Sequence, residues 1–187
     1  MKKIAIALVV VVAMAACKRG EKVAGFSDGK TDPKTATTTT AATTTGTDVG
    51  AMMPEYTAAN LDGSKFDLAG KRGKVVLVNL WATWCGPCRF EIPELQRLHD
   101  AYTSRGFEVV GVSVDEGEVA AVQDFVNEQK MRYPVAHDPQ GTLVNVLQTS
   151  VLPTSILIDR SGKIVWKKVG AIFEKDEELK SAIEKAL

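Results

Sequence analysis

The chain has 187 residues, 45% of them hydrophobic and 25% charged, with 23 basic and 23 acidic side chains, the balance of an ordinary globular protein. A formal net charge of zero excludes capture of nucleic acid or of an acidic partner by bulk electrostatics. Its three cysteines cannot all pair with one another, so at least one sulfur has a separate role.

At the amino terminus, Lys2 and Lys3 precede an uncharged apolar run of thirteen residues from Ile4 to Ala16. That run falls well short of the ~20 residues that cross a bilayer as a helix. Its charged start and small-residue end are those of a secretory signal peptide, placed at residues 1–16. The stretch Met14-Ala15-Ala16-Cys17 resembles a bacterial lipobox, with methionine in place of the usual leucine. The resemblance implies that Cys17 is acylated and becomes the first residue of the mature chain. The plainer alternative is an ordinary signal peptide with Cys17 near its cleavage site. Loss of Lys2 and Lys3 leaves 21 basic against 23 acidic groups. Membrane attachment then rests on acyl chains, at about 0.8 kcal/mol per buried methylene, and not on charge.

Residues 17–52 read as a disordered tether. Between Thr35 and Thr47, nine of thirteen residues are threonine and the others are alanine or glycine, so there is little surface to bury against a core. A flexible chain of this length has a root-mean-square span of roughly 30 Å. A glycosylated stalk is the other reading of the same composition.

From Met53 to Leu187 the pattern becomes that of a folded domain. Tyr56 to Leu68 reads as two short strands joined by Asn60-Leu61-Asp62-Gly63, with Asp-Gly as the turn signal. Val75 to Trp81 is apolar except for Asn79, the pattern of a central strand covered on both faces. A helix is predicted from near Pro87 towards Ser104, with Ile92, Leu95, Leu98 and Tyr102 on one side, His99 on the solvated side and Gly106 ending it. Phe107 to Val114 is the next buried strand. Val119, Val122, Phe125 and Val126 mark a second helix, and Leu143, Val144 and Leu147 a shorter one, with His137 in a loop. Ser155 to Asp159 and Lys163 to Val169 form a hairpin about Arg160-Ser161-Gly162, and Leu179, Ile183 and Ala186 mark a last helix. This order gives a three-layer α/β sandwich with a mixed sheet.

Two cysteines sit where the first buried strand meets the first helix, in Trp84-Cys85-Gly86-Pro87-Cys88. Two intervening residues on a first helical turn bring the sulfurs within bonding reach. Cys85 stays at the free amino end, where unpaired N–H groups and the helix dipole favour a thiolate. Cys85 is therefore the expected nucleophile. Pro87 suits the first turn, because the N–H it lacks has no helical partner there. Cys88, one turn deeper, is placed to attack a mixed disulfide on Cys85.

Two other uses of the pair are weighed against this one. Half of a structural zinc site would need a second cysteine or histidine pair at close spacing, and the remaining candidates are Cys17, His99 and His137, each isolated. A static disulfide suits an oxidising compartment, but a bond closing so short a loop constrains little chain entropy.

The stretch Val76-Leu77-Val78-Asn79-Leu80-Trp81-Ala82-Thr83-Trp84-Cys85-Gly86-Pro87-Cys88-Arg89, followed by Glu91-Ile92-Pro93, resembles the thioredoxin superfamily and its membrane-tethered TlpA/ResA-like branch. The match covers essentially all of Met53 to Leu187. It includes the early hairpin and a helical insert near Gly141 to Gln148. The implied fold is a thioredoxin-like α/β/α sandwich with a mixed central sheet and an N-terminal β-hairpin. The wider superfamily has a buried aspartate six residues before the first cysteine, where this chain has Asn79. The branch instead has a glutamate six residues after that cysteine, and Glu91 stands there. The resemblance implies that Glu91 tunes the thiols or takes the proton of Cys88; a helix-surface acid is the bland alternative. Pro93 matches a helix-kinking proline and Pro153 the superfamily's cis loop proline, beside which Leu152 offers backbone to an extended substrate. Trp84, Gly86, Pro87, Leu152 and Pro153 are thus the expected substrate contacts. Trp84 is expected to shield the sulfurs and offer an apolar contact, and Trp81 and Trp166 to pack.

The resemblance implies a lipid-anchored thiol-disulfide oxidoreductase facing the periplasm or the outer side of the cytoplasmic membrane. It would reduce disulfides of exported proteins, apocytochrome c among them, and draw electrons from a membrane-embedded thiol donor. No cofactor beyond the Cys85/Cys88 disulfide, no metal and no nucleic acid is expected. A peroxiredoxin-like peroxidase needs a threonine three residues before its cysteine and a proline seven before, where Ala82 and Val78 stand. A copper carrier of similar fold uses CxxxC spacing and a later histidine, for which only His137 offers itself.

Overall fold

The seven residues of Val75–Trp81 (β3) are all buried, as expected of an apolar run that must be covered on both faces. In a computed structural model, which describes residues 45–187, β3 is flanked on one side by Phe107–Ser113 (β4), parallel to it, and on the other by Thr154–Ile158 (β6), antiparallel. Among the described residues the sheet has seven strands. With Thr57–Asn60 as β1, Lys65–Asp67 as β2, Val135–His137 as β5 and Ile164–Val169 as β7, its order is β2-β1-β5-β4-β3-β6-β7.

Alternation along β3 divides the core. Val75, Leu77 and Trp81 pack with residues of Gly86–Tyr102 (α1), Val119–Glu128 (α2) and Glu177–Ala186 (α4). Val76, Val78 and Leu80 pack with Leu143 and Leu147 of Thr142–Leu147 (α3) and with Met53, Tyr56, Phe66 and Leu68. The hairpin and four helices fall where the periodicity placed them, and the expected three-layer, mixed-sheet fold is the one formed. Asn79 is the one polar side chain of β3, and its place in the alternation turns it towards α1.

Strand β5 has no counterpart in the sequence reading. Three residues are too few to show a period, and Val135-Ala136-His137 becomes strand by pairing parallel to β4 and antiparallel to β1. That pairing joins the early hairpin to the rest of the sheet. It also corrects the two histidines. His137 is not in a loop but buried in β5, its Nε2 2.8 Å from the carbonyl oxygen of Asp115. His99 is not on the solvated side of α1. β5 pairs with β4 only from Gly111 onward, and the Val109 N–H left over donates to His99 Nδ1 at 3.3 Å.

The tether expected to reach residue 52 joins the fold earlier. Gly50 N–H donates to Ile164 O at 2.8 Å and Ile164 N–H to Ala51 O at 2.9 Å, so the segment borders the outer edge of β7. Composition gives no sign of this, because backbone groups of any sequence can satisfy an open strand edge. The expected signal peptide, Cys17 and the threonine run up to residue 44 lie outside the described residues. Among the described residues, no helix is long and apolar enough to cross a membrane.

Candidate active site

β3 ends at Trp81, and the chain turns through Ala82, Thr83 and Trp84 into α1. Asp115, in the loop after β4, fixes that turn. Its Oδ1 accepts from Thr83 Oγ1 at 2.6 Å, and its Oδ2 accepts from Thr83 N–H at 3.0 Å and from Ser113 Oγ at 2.7 Å. Cys85 is the N-cap of α1, its sulfur receiving the Cys88 N–H at 3.3 Å, with Gly86 and Pro87 opening the first turn. The sulfurs of Cys85 and Cys88 are joined in a disulfide. Cys85 is the more exposed of the two, at 5% against 1%.

Glu91 lies one turn beyond Cys88 and is wholly buried. It is not a surface acid. Oε1 accepts from Asn79 Nδ2 at 2.7 Å and Oε2 from the Ile172 N–H at 2.8 Å, while Asn79 Nδ2 also donates to Ser155 Oγ at 2.9 Å. Burial pushes the carboxyl up to about 7, against the opposing pull of the Ile172 N–H, the Asn79 amide and the more distant Lys168 ammonium. The site thus holds a group able to change protonation near neutrality within a turn of the inner cysteine. Asn79, standing where the wider superfamily has an aspartate, is thus a donor that helps to orient the Glu91 carboxyl.

The Leu152–Pro153 peptide is cis, as the resemblance implied. Thr154 of β6 pairs with Leu80, which puts Pro153 at the same end of the sheet as Cys85. Leu152 packs against the cluster that contains both cysteines. Trp84 is 71% exposed. An indole so exposed presents an apolar face to solvent next to Cys85. Phe90, Val151 and Phe173 are also exposed; the sequence reading did not single them out, because exposure of an apolar residue is not visible in its identity. Trp81 and Trp166 are buried packing residues as expected. Asp115, Ser155 and Lys168 were missed as well. The contacts that give them meaning cross 32 residues for Thr83 and Asp115 and 76 for Asn79 and Ser155, and no motif spans such gaps.

A CxxC disulfide at the head of a helix, backed by a buried carboxyl and a cis-proline loop on this sheet, defines a thiol-disulfide oxidoreductase of thioredoxin-like fold. The chain belongs to the AhpC/TSA family, whose pattern matches residues 49–167. It is 35% identical over 137 residues to the thiol-disulfide oxidoreductase ResA of Bacillus cereus, covering 73% of this chain and 78% of that one. Among solved structures it is similar to one from Chlorobium tepidum described as a thiol:disulfide interchange protein DsbE. The TM-score is 0.67 at 32% identity, covering 72% of this chain and 94% of that one. It is also similar to StoA from Bacillus subtilis, with a TM-score of 0.58 at 27% identity over 69% and 96% of the two chains.

Proposed function

We propose that this protein works as a disulfide reductase of the cell envelope, with Cys85 as nucleophile, Cys88 as resolving thiol and Glu91 as proton acceptor. In the dithiol form the Cys85 thiolate attacks a substrate disulfide. The substrate S–S bond breaks, a mixed disulfide forms on Cys85, and the first substrate thiolate leaves and is protonated by solvent. Cys88 then gives its proton to the Glu91 carboxylate and attacks the Cys85 sulfur. The Cys85–Cys88 bond forms and the second substrate sulfur departs as a thiolate. Two electrons have passed to the substrate, and a thiol donor must return them. The observation that carries the reading is Glu91, fully buried beside the inner cysteine and held by the Asn79 and Ile172 donors.

Trp84, Gly86, Pro87, Leu152 and Pro153 are the proposed substrate contacts. The substrates are exported proteins with disulfides, apocytochrome c among them, and the electron donor is a membrane-embedded thiol protein. Acylated Cys17 anchors the domain on the periplasmic or outer face. This part of the reading rests on the lipobox-like Met14-Ala15-Ala16-Cys17 and on the branch resemblance. Against a peroxidase, Val78 and Ala82 are buried apolar residues at the positions where that chemistry uses proline and threonine. Equilibration of the Cys85/Cys88 couple with glutathione tests the direction. A strongly reducing potential supports the reductase, and an oxidising one makes the protein a disulfide donor instead.

A further inference from the structure

The row of side chains that supports Glu91 does not stop at Asn79. Asn79 is paired with Ser155, and Ser155 with Lys168, so β3, β6 and β7 present three aligned residues on the face covered by α1 and α4. Asn79 Nδ2 is hydrogen-bonded to both Glu91 and Ser155. At the outer end of the row, Lys168 Nζ donates to Asp176 Oδ2 at 2.6 Å. Asp176 is itself fixed, because its Oδ1 caps α4 by accepting the Leu179 N–H at 3.0 Å. Ile172, whose N–H meets Glu91, lies in the short segment between Lys168 and Asp176. The carboxyl and the ammonium are thus held by neighbouring parts of one rigid frame.

We propose that Lys168, clamped by Asp176 at the end of the Asn79–Ser155–Lys168 row, is a positioning residue for Glu91, its ammonium holding the carboxylate ready to take the proton of Cys88. The inference rests on the proposed role of Glu91 and names the group that regulates it.

The other groups around Glu91 do not supply this charge. On α1, Cys88 is bound in the disulfide, and Glu94 is held by Arg97 through both carboxylate oxygens. From the segment before β5, the buried Tyr133 phenol stays neutral, pushed above its ordinary range by burial and then by Glu91 itself. From the head of α4 comes only Asp176, already occupied by Lys168. Among the described residues, Lys168 is the cation whose charge lowers the proton affinity of Glu91, opposing burial together with the two hydrogen bonds. The Lys168 side chain is 34% exposed and that of Asp176 12%, and a charge held at a fixed, partly buried place acts on its neighbour more strongly than a fully solvated one.

The test is a carbon-13 titration of the Glu91 carboxyl in the full chain, read with the pH profile of alkylation of the reduced cysteines. Lys168→Gln removes the charge while its amide can still bond Asp176; Lys168→Met is the second variant if the first does not fold; Lys168→Arg keeps the charge. The expected result is a Glu91 midpoint raised by roughly half a pH unit or more in the neutral variants, with the alkylation inflection moving alongside it and Lys168→Arg staying near wild type. An unchanged Glu91 midpoint in a folded neutral variant overturns the proposal. If the Glu91 midpoint moves but alkylation is the same in Glu91→Gln as in wild type, the tuning by Lys168 stands and the catalytic reading of Glu91 falls.

Discussion

Asn79 on β3 donates a 2.7 Å hydrogen bond to Glu91 on α1, and both side chains are sealed from solvent. The strand that carries the chain to the first cysteine and the helix that begins there are therefore coupled through a buried polar contact one turn beyond Cys88. A buried carboxyl fixed by two donors keeps a single orientation, which a proton acceptor for Cys88 requires.

Replacing that carboxyl is the most direct probe. Glu91→Gln is expected to remove the inflection near neutrality from the pH profile of thiol reactivity and to slow disulfide reduction roughly 10- to 100-fold, on the order of what one positioned proton acceptor contributes. Single-turnover reduction of a model disulfide across the pH range measures both. An unaltered profile removes Glu91 from the chemistry.

The same carboxyl leaves a signature in stability. Unfolded, it ionises near its ordinary 4.5; folded, burial raises it to about 7. Between those values the folded state holds a proton the unfolded state has lost, so its contribution to stability is full below the lower value and declines as pH rises through the upper one. Glu91→Gln should remove this decline and gain up to about 3 kcal/mol on the alkaline side. Urea midpoints that fall equally with pH in wild type and variant would contradict it.

His99 acts in the opposite sense. Its proton affinity is lowered, first by desolvation, and its Nδ1 must be free to accept the Val109 N–H. The unfolded histidine gains a proton first as pH falls below its ordinary 6.5. Stability from His99 is thus full above that value and is lost on acidification towards the lower folded value. In a Glu91→Gln background, which silences the opposing group, His99→Asn should flatten the acid-side loss of thermal stability; a slope that survives assigns the loss elsewhere.

Cys88→Ser should accumulate mixed disulfides through Cys85, the more exposed residue of the pair at 5% against 1%. Non-reducing electrophoresis with a protein substrate reads this. Trapping that needs Cys88 and survives Cys85→Ser reverses the two roles.

Asp115→Ala strips the Thr83 N–H and hydroxyl of their shared acceptor. Partly buried donors left unpaired, with charge-assisted bonds lost, are expected to cost about 2–3 kcal/mol. The turn that carries Trp84 and Cys85 should also exchange its amide hydrogens faster. Unchanged denaturation and exchange in this variant show that Asp115 does not hold the turn.

Much of this protein is legible one segment at a time. The apolar run of β3, the helical period of α1 and the Cys85-Gly86-Pro87-Cys88 spacing are local patterns. Each is dictated by neighbours within a few residues, through burial period, capping and chain geometry. The sequence alone therefore determined the sandwich, the place of the disulfide and, by resemblance, Glu91 and Pro153. Only tertiary structure decided what long-range pairing makes. β5 exists because β4 and β1 flank it, and both histidines are engaged because of where β5 begins. Asn79 passes from an apparent loss to the residue that orients Glu91, and Lys168 acquires a purpose through its register with Ser155. The physical reason is common to all of them. A hydrogen bond or a charge acts over a few ångströms of space, and residues dozens of positions apart reach that distance only once the sheet has set its register.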